Sequence, residues 1–326
     1  MKKCFITVVS LICSLAILFS LASCGGKADE KDRTEPDAAE TQQPQIIDYN
    51  ELTNKLDNTE KDLGLDDKYN EFADVTDGEL DSDLAGLWLS ADSKTRYDFG
   101  SDGVLKTKTD YYGSVFDNEI KYTCLKNDSF SVLCVETETV THNEDGTEES
   151  TPTLAYDSYL IDGDVLYMMS VESAEGMGTS YSAALQILYR ADNSGSAAAS
   201  VAANPMDLRS LYGVWSSEKG DVTVDDNGMN AGGKIYKLSF NDQGKLTADD
   251  GETTTAYGFT IVSYREYSDP DKSSVVSKKL NISLTYMGKN ADDVPNLKPF
   301  LDDWHEDYKD SGYEDYYFTQ NFTLAS

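Results

Sequence analysis

A short motif that ends in Gly-x-Trp occurs twice in the chain and constrains its architecture more than any other feature. The first copy is Leu84-Ala85-Gly86-Leu87-Trp88, and the second is Leu211-Tyr212-Gly213-Val214-Trp215. In both halves a Phe-x-x-x-Gly-x-Leu motif follows, from Phe99 to Leu105 and from Phe240 to Leu246. Two motifs that recur in the same order indicate a duplicated structural unit.

Both halves contain many short segments in which apolar and polar residues alternate, a pattern that predicts β-strands. Candidate strands of the first half lie near 86–90, 94–100, 104–112, 117–125, 129–140, 153–161, 165–172 and 182–190. Candidate strands of the second half lie near 211–216, 233–241, 244–249, 256–267, 275–287 and 313–324. Eight consecutive strands with short turns favour an up-and-down barrel, which can also close around one small ligand.

The predicted fold class is therefore all-β, with two antiparallel meander barrels in tandem. We place the first β-domain at 84–191, a Ser/Ala/Gly/Asn-rich linker at 192–207 and the second β-domain at 208–326. The second domain also contains apolar residues at helical spacing opposite a row of acids, namely Leu297, Phe300, Leu301, Trp304 and Tyr308. They predict an inserted amphipathic helix. This helix either plugs a barrel end, which we favour, or forms a lid over a pocket.

The N-terminal residues have the three parts of an export signal. Lys2 and Lys3 precede an apolar run from Phe5 to Leu21, and the run ends in Leu21-Ala22-Ser23-Cys24. This boundary resembles the lipobox of bacterial lipoproteins. The resemblance implies a signal peptide at 1–23, cleavage before Cys24, and a thioether-linked lipid with palmitate-type acyl chains on that cysteine. A single transmembrane helix is the alternative, because the apolar run approaches the length of about 17 to 25 residues that spans a bilayer.

The stretch from Cys24 to Asp83 is acidic and polar, so we predict a disordered or weakly helical spacer. Anchoring through Cys24 places the protein at the outer face of the cell membrane, because two acyl chains hold a protein there stably.

The Gly-x-Trp opening followed by antiparallel strands resembles lipocalin-like β-barrel domains. In lipocalins the tryptophan lies at the closed end of the barrel, and an arginine from the last strand packs over it. By this resemblance Arg190 closes the first barrel over Trp88. Trp215 is the corresponding tryptophan of the second copy, which ends in Asn321-Phe322-Thr323-Leu324 and has no such arginine.

The two cysteines of the first β-domain, Cys124 and Cys134, flank a predicted turn at Asn127-Asp128. If these two residues form the loop, Lys126 pairs with Ser129 and the cysteines point to opposite faces of the sheet, because side chains alternate along a strand. We therefore expect two buried free thiols rather than a disulfide.

Composition and motifs exclude several functions. A net charge of −32 repels nucleic acid and makes its binding unfavourable. The only histidines, His142 and His305, have no partner at the spacing of a zinc site. Because no nucleophile, phosphate-loop or dinucleotide motif is present, we predict neither an enzyme nor a bound cofactor or metal.

The sequence thus predicts a membrane-anchored extracytoplasmic lipoprotein with non-catalytic binding domains. Its partner is an unidentified protein or polymer. The alternative is a small apolar ligand held in a barrel, as in a lipocalin-type carrier. Filled barrel interiors favour the first function, and an open apolar cavity favours the second.

Overall fold

The protein forms two closed antiparallel barrels in tandem, each of eight strands, as predicted. The computed structural model describes residues 46–65, 78–111, 114–126, 128–142, 147–173, 178–269, 274–288, 293–303 and 316–325. The predicted signal peptide and Cys24 lie outside these residues.

Helix α1 (Tyr49–Leu56) begins the described part of the chain. The first-half strands are β1 (Gly86–Leu89), β2 (Thr95–Phe99), β3 (Val104–Tyr111), β4 (Ser114–Lys126), β5 (Ser131–His142), β6 (Glu148–Asp162), β7 (Val165–Ser170), β8 (Ser180–Ala184) and β9 (Gln186–Arg190). Helix α2 (Ala198–Ala203) follows within the predicted linker.

The second-half strands are β10 (Gly213–Ser217), β11 (Gly220–Asp225), β12 (Gly228–Ala231), β13 (Lys234–Phe240), β14 (Leu246–Asp249), β15 (Thr254–Tyr267), β16 (Val275–Gly288), β17 (Asp302–Asp303) and β18 (Tyr316–Leu324). The first barrel runs from β1 through β7 to β9, and β9 pairs back with β1. The second runs from β10 through β16 to β18, which pairs back with β10.

The single strand predicted near 182–190 is two strands in the structure. They are separated at Leu185, whose N–H donates to the carbonyl of Ile261 at 2.8 Å. Strand β9 closes the first barrel, whereas β8 pairs with β15 of the second barrel. The first half of the chain therefore supplies a strand to the sheet of the second half.

The two Phe-x-x-x-Gly-x-Leu motifs do not occupy equivalent places. The first connects β2 to β3, and the second connects β13 to β14, which are the fourth and fifth strands of their barrel. Both form the same kind of turn, in which Gly103 (φ 81°) and Gly244 (φ 69°) take the left-handed conformation that favours glycine. The shared motif thus reflects turn chemistry, whereas the Gly-x-Trp motif opens both barrels.

In the segment predicted as an inserted helix, the residues that the structure describes do not form an α-helix. The segment forms a 3₁₀ turn at Lys298–Phe300 and then strand β17, which pairs with β18. Leu297 and Leu301 are almost fully buried, and Tyr257 Oη accepts the N–H of Leu297 at 2.9 Å. This segment plugs the second barrel. The rest of the predicted helix, including Trp304, His305 and Tyr308, lies outside the described residues.

The interior of the first barrel is filled by large side chains that alternate along its strands. They include Trp88, Phe99, Leu105, Tyr122, Leu133, Leu166 and Met168. The opposite face of β7 is also buried, because Val165, Tyr167 and Met169 join a second core that is continuous with the second barrel. Because this core contains residues of both barrels, the barrels share a large apolar interface. Each side chain buried there contributes about 1.5–3 kcal/mol to the free energy of unfolding.

Residues 46–65 form an N-terminal arm that packs against both barrels. Asp48 caps α1 by accepting the N–H of Glu51, and the helix buries Tyr49, Leu52 and Leu56 in the shared core. The sequence had placed this stretch in a disordered or weakly helical spacer. The apolar residues of α1, although few, lie on the face that meets the barrels, whereas Ile46 before the helix is exposed.

At the C-terminal end of α1 the arm contributes to a group of charges, the junction cluster, formed by the buried Asp57, Glu172 and Arg265 and the exposed Lys278. Arg265 Nη2 lies 2.6 Å from Asp57 Oδ1, and Lys278 Nζ lies 2.8 Å from Asp57 Oδ2. Arg265 Nη1 lies 3.7 Å from Glu172 Oε2. Since Asp57 belongs to the arm, Glu172 to the first half and both cations to the second barrel, the cluster joins all three parts.

Candidate functional site

The two Gly-x-Trp motifs build the same local structure. The indole N–H of Trp88 donates to the carbonyl of Leu84 at 2.7 Å, and that of Trp215 donates to the carbonyl of Leu211 at 2.8 Å. The intervening glycines have positive φ angles, 112° at Gly86 and 146° at Gly213, which let the chain turn back so that these bonds form. Both tryptophans are fully buried and serve the barrel cores.

The structure brings Arg190 and Trp88 together at one end of the first barrel. They are direct neighbours on β9 and β1, and the guanidinium carbon lies 4.1 Å from the centroid of the indole ring. Arg190 also donates to the carbonyls of Ala85 at 3.1 Å and Asp83 at 2.7 Å. In the second barrel the neighbour of Trp215 is Leu324. An apolar side chain therefore replaces the arginine at the equivalent position.

Cys124 and Cys134 are both buried free thiols, as expected, but their hairpin has a different register. Lys126 pairs with Ser131, so the loop contains four residues rather than two. The cysteines still face opposite sides, because Cys124 belongs to the core inside the first barrel and Cys134 to a separate apolar cluster. Burial raises the pKa of the Cys124 thiol, which makes it a poor nucleophile.

His142 lies on β5, and His305 is outside the described residues. Within the described ranges, no three His, Cys, Asp or Glu side chains are grouped closely enough to hold a metal ion. In the same part of the chain, no helix has the length and apolarity needed to cross a membrane.

An open cleft of about 460 Å³ lies between the two barrels. A smaller recess of about 130 Å³ adjoins it and shares part of its wall. The cleft is lined by Ala91, Asp92, Ser93, Tyr189, Ser196, Ala198, Val201, Ala202, Pro205, Met206, Phe240, Asn241, Asp242, Gln243 and Gly244. Its volume lies in the range of about 300–1,000 Å³ that is usual for ligand pockets.

Two tight turns and the linker form the walls of the cleft. In the turn between β1 and β2, Asp92 Oδ1 accepts the hydroxyl of Ser90 at 2.6 Å and the N–H of Lys94 at 3.1 Å. In the turn between β13 and β14, Asn241 Oδ1 accepts the N–H groups of Gln243 and Lys245. These bonds fix the shape of both turns. Helix α2 and the residues after it form the third wall.

The two barrels come into close contact beside the cleft. A Cβ atom added at Gly244 would lie 3.0 Å from Cβ of Ala91, which is closer than ordinary van der Waals contact. Glycine at this position therefore permits the contact between the two turns. The cleft depends on this close approach, because its walls come from different barrels.

The lining of the cleft combines large apolar side chains with polar groups. We call its apolar part, formed by Tyr189, Met206 and Phe240, the apolar floor; the ring of Phe240 packs edge-to-face on Phe259 with centroids 5.3 Å apart. Ser93 and Asp242 lie among the polar lining groups. This arrangement suits binding of a mostly apolar group, since a few polar residues can orient it.

Sequence reasoning placed no site residue in this cleft. Its walls come from two turns and a linker, and each of these is unremarkable as a local pattern. The chain matches no known protein family, and no match was found among curated proteins or solved structures.

Proposed function

We propose that this protein is an extracytoplasmic lipoprotein, anchored to the outer face of the membrane through Cys24, with two non-catalytic binding domains of lipocalin-like type. Its binding site is the cleft between the barrels. The target is an exposed segment of a partner protein or polymer that inserts an apolar group into the cleft.

The cleft carries the proposal. The interior of the first barrel is occupied by its own side chains, and the second is plugged at Leu297 and Leu301. An apolar floor that remains open to solvent is therefore found between the barrels rather than inside the first one. Contiguous apolar surface of this kind is typical of interaction sites.

The anchor is tested by replacing the lipidated cysteine. We expect Cys24→Ala to abolish metabolic labelling with a radioactive fatty acid and to move the protein out of the membrane fraction, because no thioether can form. Cys124→Ala is the matched control and keeps both properties. Unchanged fatty-acid labelling of the Cys24 variant would refute the anchor.

The cleft is tested by a hydrogen-exchange footprint. The protein in membranes of the producing cells is compared with the purified protein by mass spectrometry. We expect slower amide exchange at 198–206 and 241–244 in the membranes, because a bound target covers these walls. The turn at Gly232–Gly233 is the control and exchanges equally in both samples. Protection that is confined to other surfaces contradicts the proposal.

A second candidate target is a small apolar molecule held in the same cleft, whose volume of about 460 Å³ is usual for ligand pockets. Native mass spectrometry distinguishes the two candidates. A small molecule gives a constant excess mass on the purified protein that Met206→Glu abolishes, because a carboxylate then occupies the apolar floor. A partner segment gives no such excess mass.

A further inference from the structure

One edge of β15 has a short gap between its two partner strands. The pairing of β15 with β14 ends at Tyr257, and its pairing with β8 begins at Val262. Both partners lie on the same edge, because β14 and β16 are on opposite sides of β15 and β16 already pairs with the residues that meet β8. Within the described part of the chain, residues 258–261 therefore have no strand beside them on this edge. We call this stretch the vacant edge.

The backbone groups of Phe259 point toward the vacant edge. On the β8 side, the carbonyl of Ile261 accepts the N–H of Leu185 at 2.8 Å. Further along the same side, the N–H of Tyr267 donates to the carbonyl of Thr179 at 2.8 Å. Because the direction of the backbone groups alternates along a strand, Phe259 directs its N–H and C=O to this side as well. Among the described residues, neither group has a hydrogen-bond partner.

The vacant edge forms one wall of the recess beside the cleft. Phe259, Thr260 and Ile261 line this recess of about 130 Å³, and Gln243 and Gly244 line it from the turn between β13 and β14. The recess shares part of its wall with the cleft, so a segment bound in the cleft extends directly to the vacant edge. Strand edges with unpaired N–H and C=O groups are templates for pairing with another chain.

The chain already binds one extended segment on this edge of β15. Strand β8 comes from the first half of the chain and pairs there over Ser180–Ala184. In strand addition of this kind, main-chain hydrogen bonds supply affinity and pockets for alternate side chains supply specificity. A further segment at the vacant edge continues the sheet between β14 and β8, and the cleft is then the pocket for one of its side chains.

We propose that the target is an extended polypeptide segment of a partner protein that pairs its backbone with Phe259. One residue of the segment donates its N–H to the carbonyl of Phe259 and accepts the N–H of Phe259 at its own carbonyl. A neighbouring apolar side chain of the segment lies against Met206 in the cleft. This inference rests on the cleft as the binding site. It selects a partner protein among the candidate targets, because each non-proline residue of a polypeptide offers one N–H and one C=O.

The first experiment measures amide hydrogen exchange residue by residue on the full chain, by mass spectrometry with electron-transfer fragmentation. It compares the purified protein with the same protein in membranes of the producing cells. The N–H of Phe259 is the reporter. The N–H of Thr260 is the matched control, because it points to β16, where Thr260 pairs with Ser283.

In the purified protein we expect the amide of Phe259, relative to its intrinsic rate, to exchange at least about fivefold faster than that of Thr260, because only the latter is hydrogen-bonded. In the membranes we expect exchange at Phe259 to slow at least about fivefold, because a carbonyl of the bound segment accepts its N–H. Exchange at Thr260 stays the same. Slow exchange of Phe259 in the purified protein overturns the inference, because the edge is then not vacant.

The second experiment identifies the chemical class of the target. A photoreactive amino acid replaces Gln243, which lines both the cleft and the recess, and the producing cells are irradiated. The adduct is digested with trypsin and sequenced by tandem mass spectrometry. We expect a peptide of a second protein linked to position 243. An adduct with a sugar or a lipid overturns the assignment of a polypeptide.

Two results separate failure of this inference from failure of the binding site. If 198–206 and 241–244 are protected in the membranes, while Phe259 exchanges as fast as in the purified protein, the backbone pairing is overturned and the cleft remains the binding site. If neither these segments nor Phe259 are protected in the membranes, both proposals are overturned.

Discussion

Replacing Arg265 by alanine tests whether the junction cluster holds the arm and the two barrels together. Arg265 is almost fully buried and donates to the carbonyl of Asp57 at 2.8 Å and to the hydroxyl of Tyr267 at 3.0 Å. Burial alone would lower the pKa of Arg265, but the charge of Asp57 and the hydrogen bond to Tyr267 raise it overall. The guanidinium therefore stays charged, and its removal leaves Asp57 and Glu172 buried without it.

The expected loss in the free energy of unfolding is about 3–5 kcal/mol, the usual cost of leaving a buried charge without its partner. Lys278 still neutralises part of Asp57, since its ammonium lies 2.8 Å from Oδ2, so we expect the lower part of this range. For a chain of this size such a loss lowers the melting temperature by roughly 4–8 °C, because the entropy of unfolding is about 2.1 cal/mol/K per residue.

The assay is urea unfolding followed by tryptophan fluorescence, which reports on both barrels through Trp88 and Trp215. Arg96→Ala is the control, because its ion pair with Asp98 is solvent-exposed and contributes little. The double variant Arg265→Ala/Asp57→Asn is expected to be more stable than Arg265→Ala alone, since the unpaired carboxylate is gone. A loss below about 1 kcal/mol for Arg265→Ala, or no recovery in the double variant, would refute this account of the cluster.

Three further predictions concern the first barrel. Arg190→Leu introduces the residue that faces the tryptophan in the second barrel. It is expected to lower the free energy of unfolding by about 1–3 kcal/mol, because a cation–π contact and charged hydrogen bonds disappear. An unchanged midpoint of urea unfolding contradicts this. Burial alone would raise the pKa of Asp81, but hydrogen bonds from Lys126 and Tyr159 lower it overall. Its contribution to stability is thus complete above the unfolded pKa of about 3.9 and is lost as pH falls through the lower folded value. The difference in the free energy of unfolding between the parent and Asp81→Asn should therefore decrease in acid. A difference that stays constant with pH contradicts the lowered pKa of Asp81. Cys124 and Cys134 are expected to react with iodoacetamide only after unfolding, as measured by intact mass, because both are buried; rapid labelling of the native protein disproves their burial.

Local patterns in the sequence predict most of this fold, because apolar and polar residues alternate along strands and turns contain characteristic residues. The first barrel follows its predicted strands closely for this reason. The sequence analysis missed strands β11 (Gly220–Asp225) and β12 (Gly228–Ala231). Both strands are short, and only every second residue is buried, with side chains of small or moderate size. Their Asp226-Asn227 turn, followed by Gly228, was the available signal.

The features that were not predicted depend on contacts between distant parts of the chain. Strand β8 joins β15 because an open edge of the second barrel lies next to it, and no local pattern specifies that partner. The acid Asp57 is one of 59 acidic residues, and only its burial against Arg265 distinguishes it. The cleft likewise arises where two turns meet, so it has no continuous sequence motif.

The most direct test of the central claim, that the target binds between the barrels, is photo-crosslinking in the producing cells. A photoreactive amino acid replaces Met206 in the cleft or, as the control, Ile235 on the exposed face of β13, which is 54% exposed. We predict a discrete covalent adduct, measured by mass, at position 206 and none at 235. Adducts at 235 alone, or at neither position, would contradict the claim.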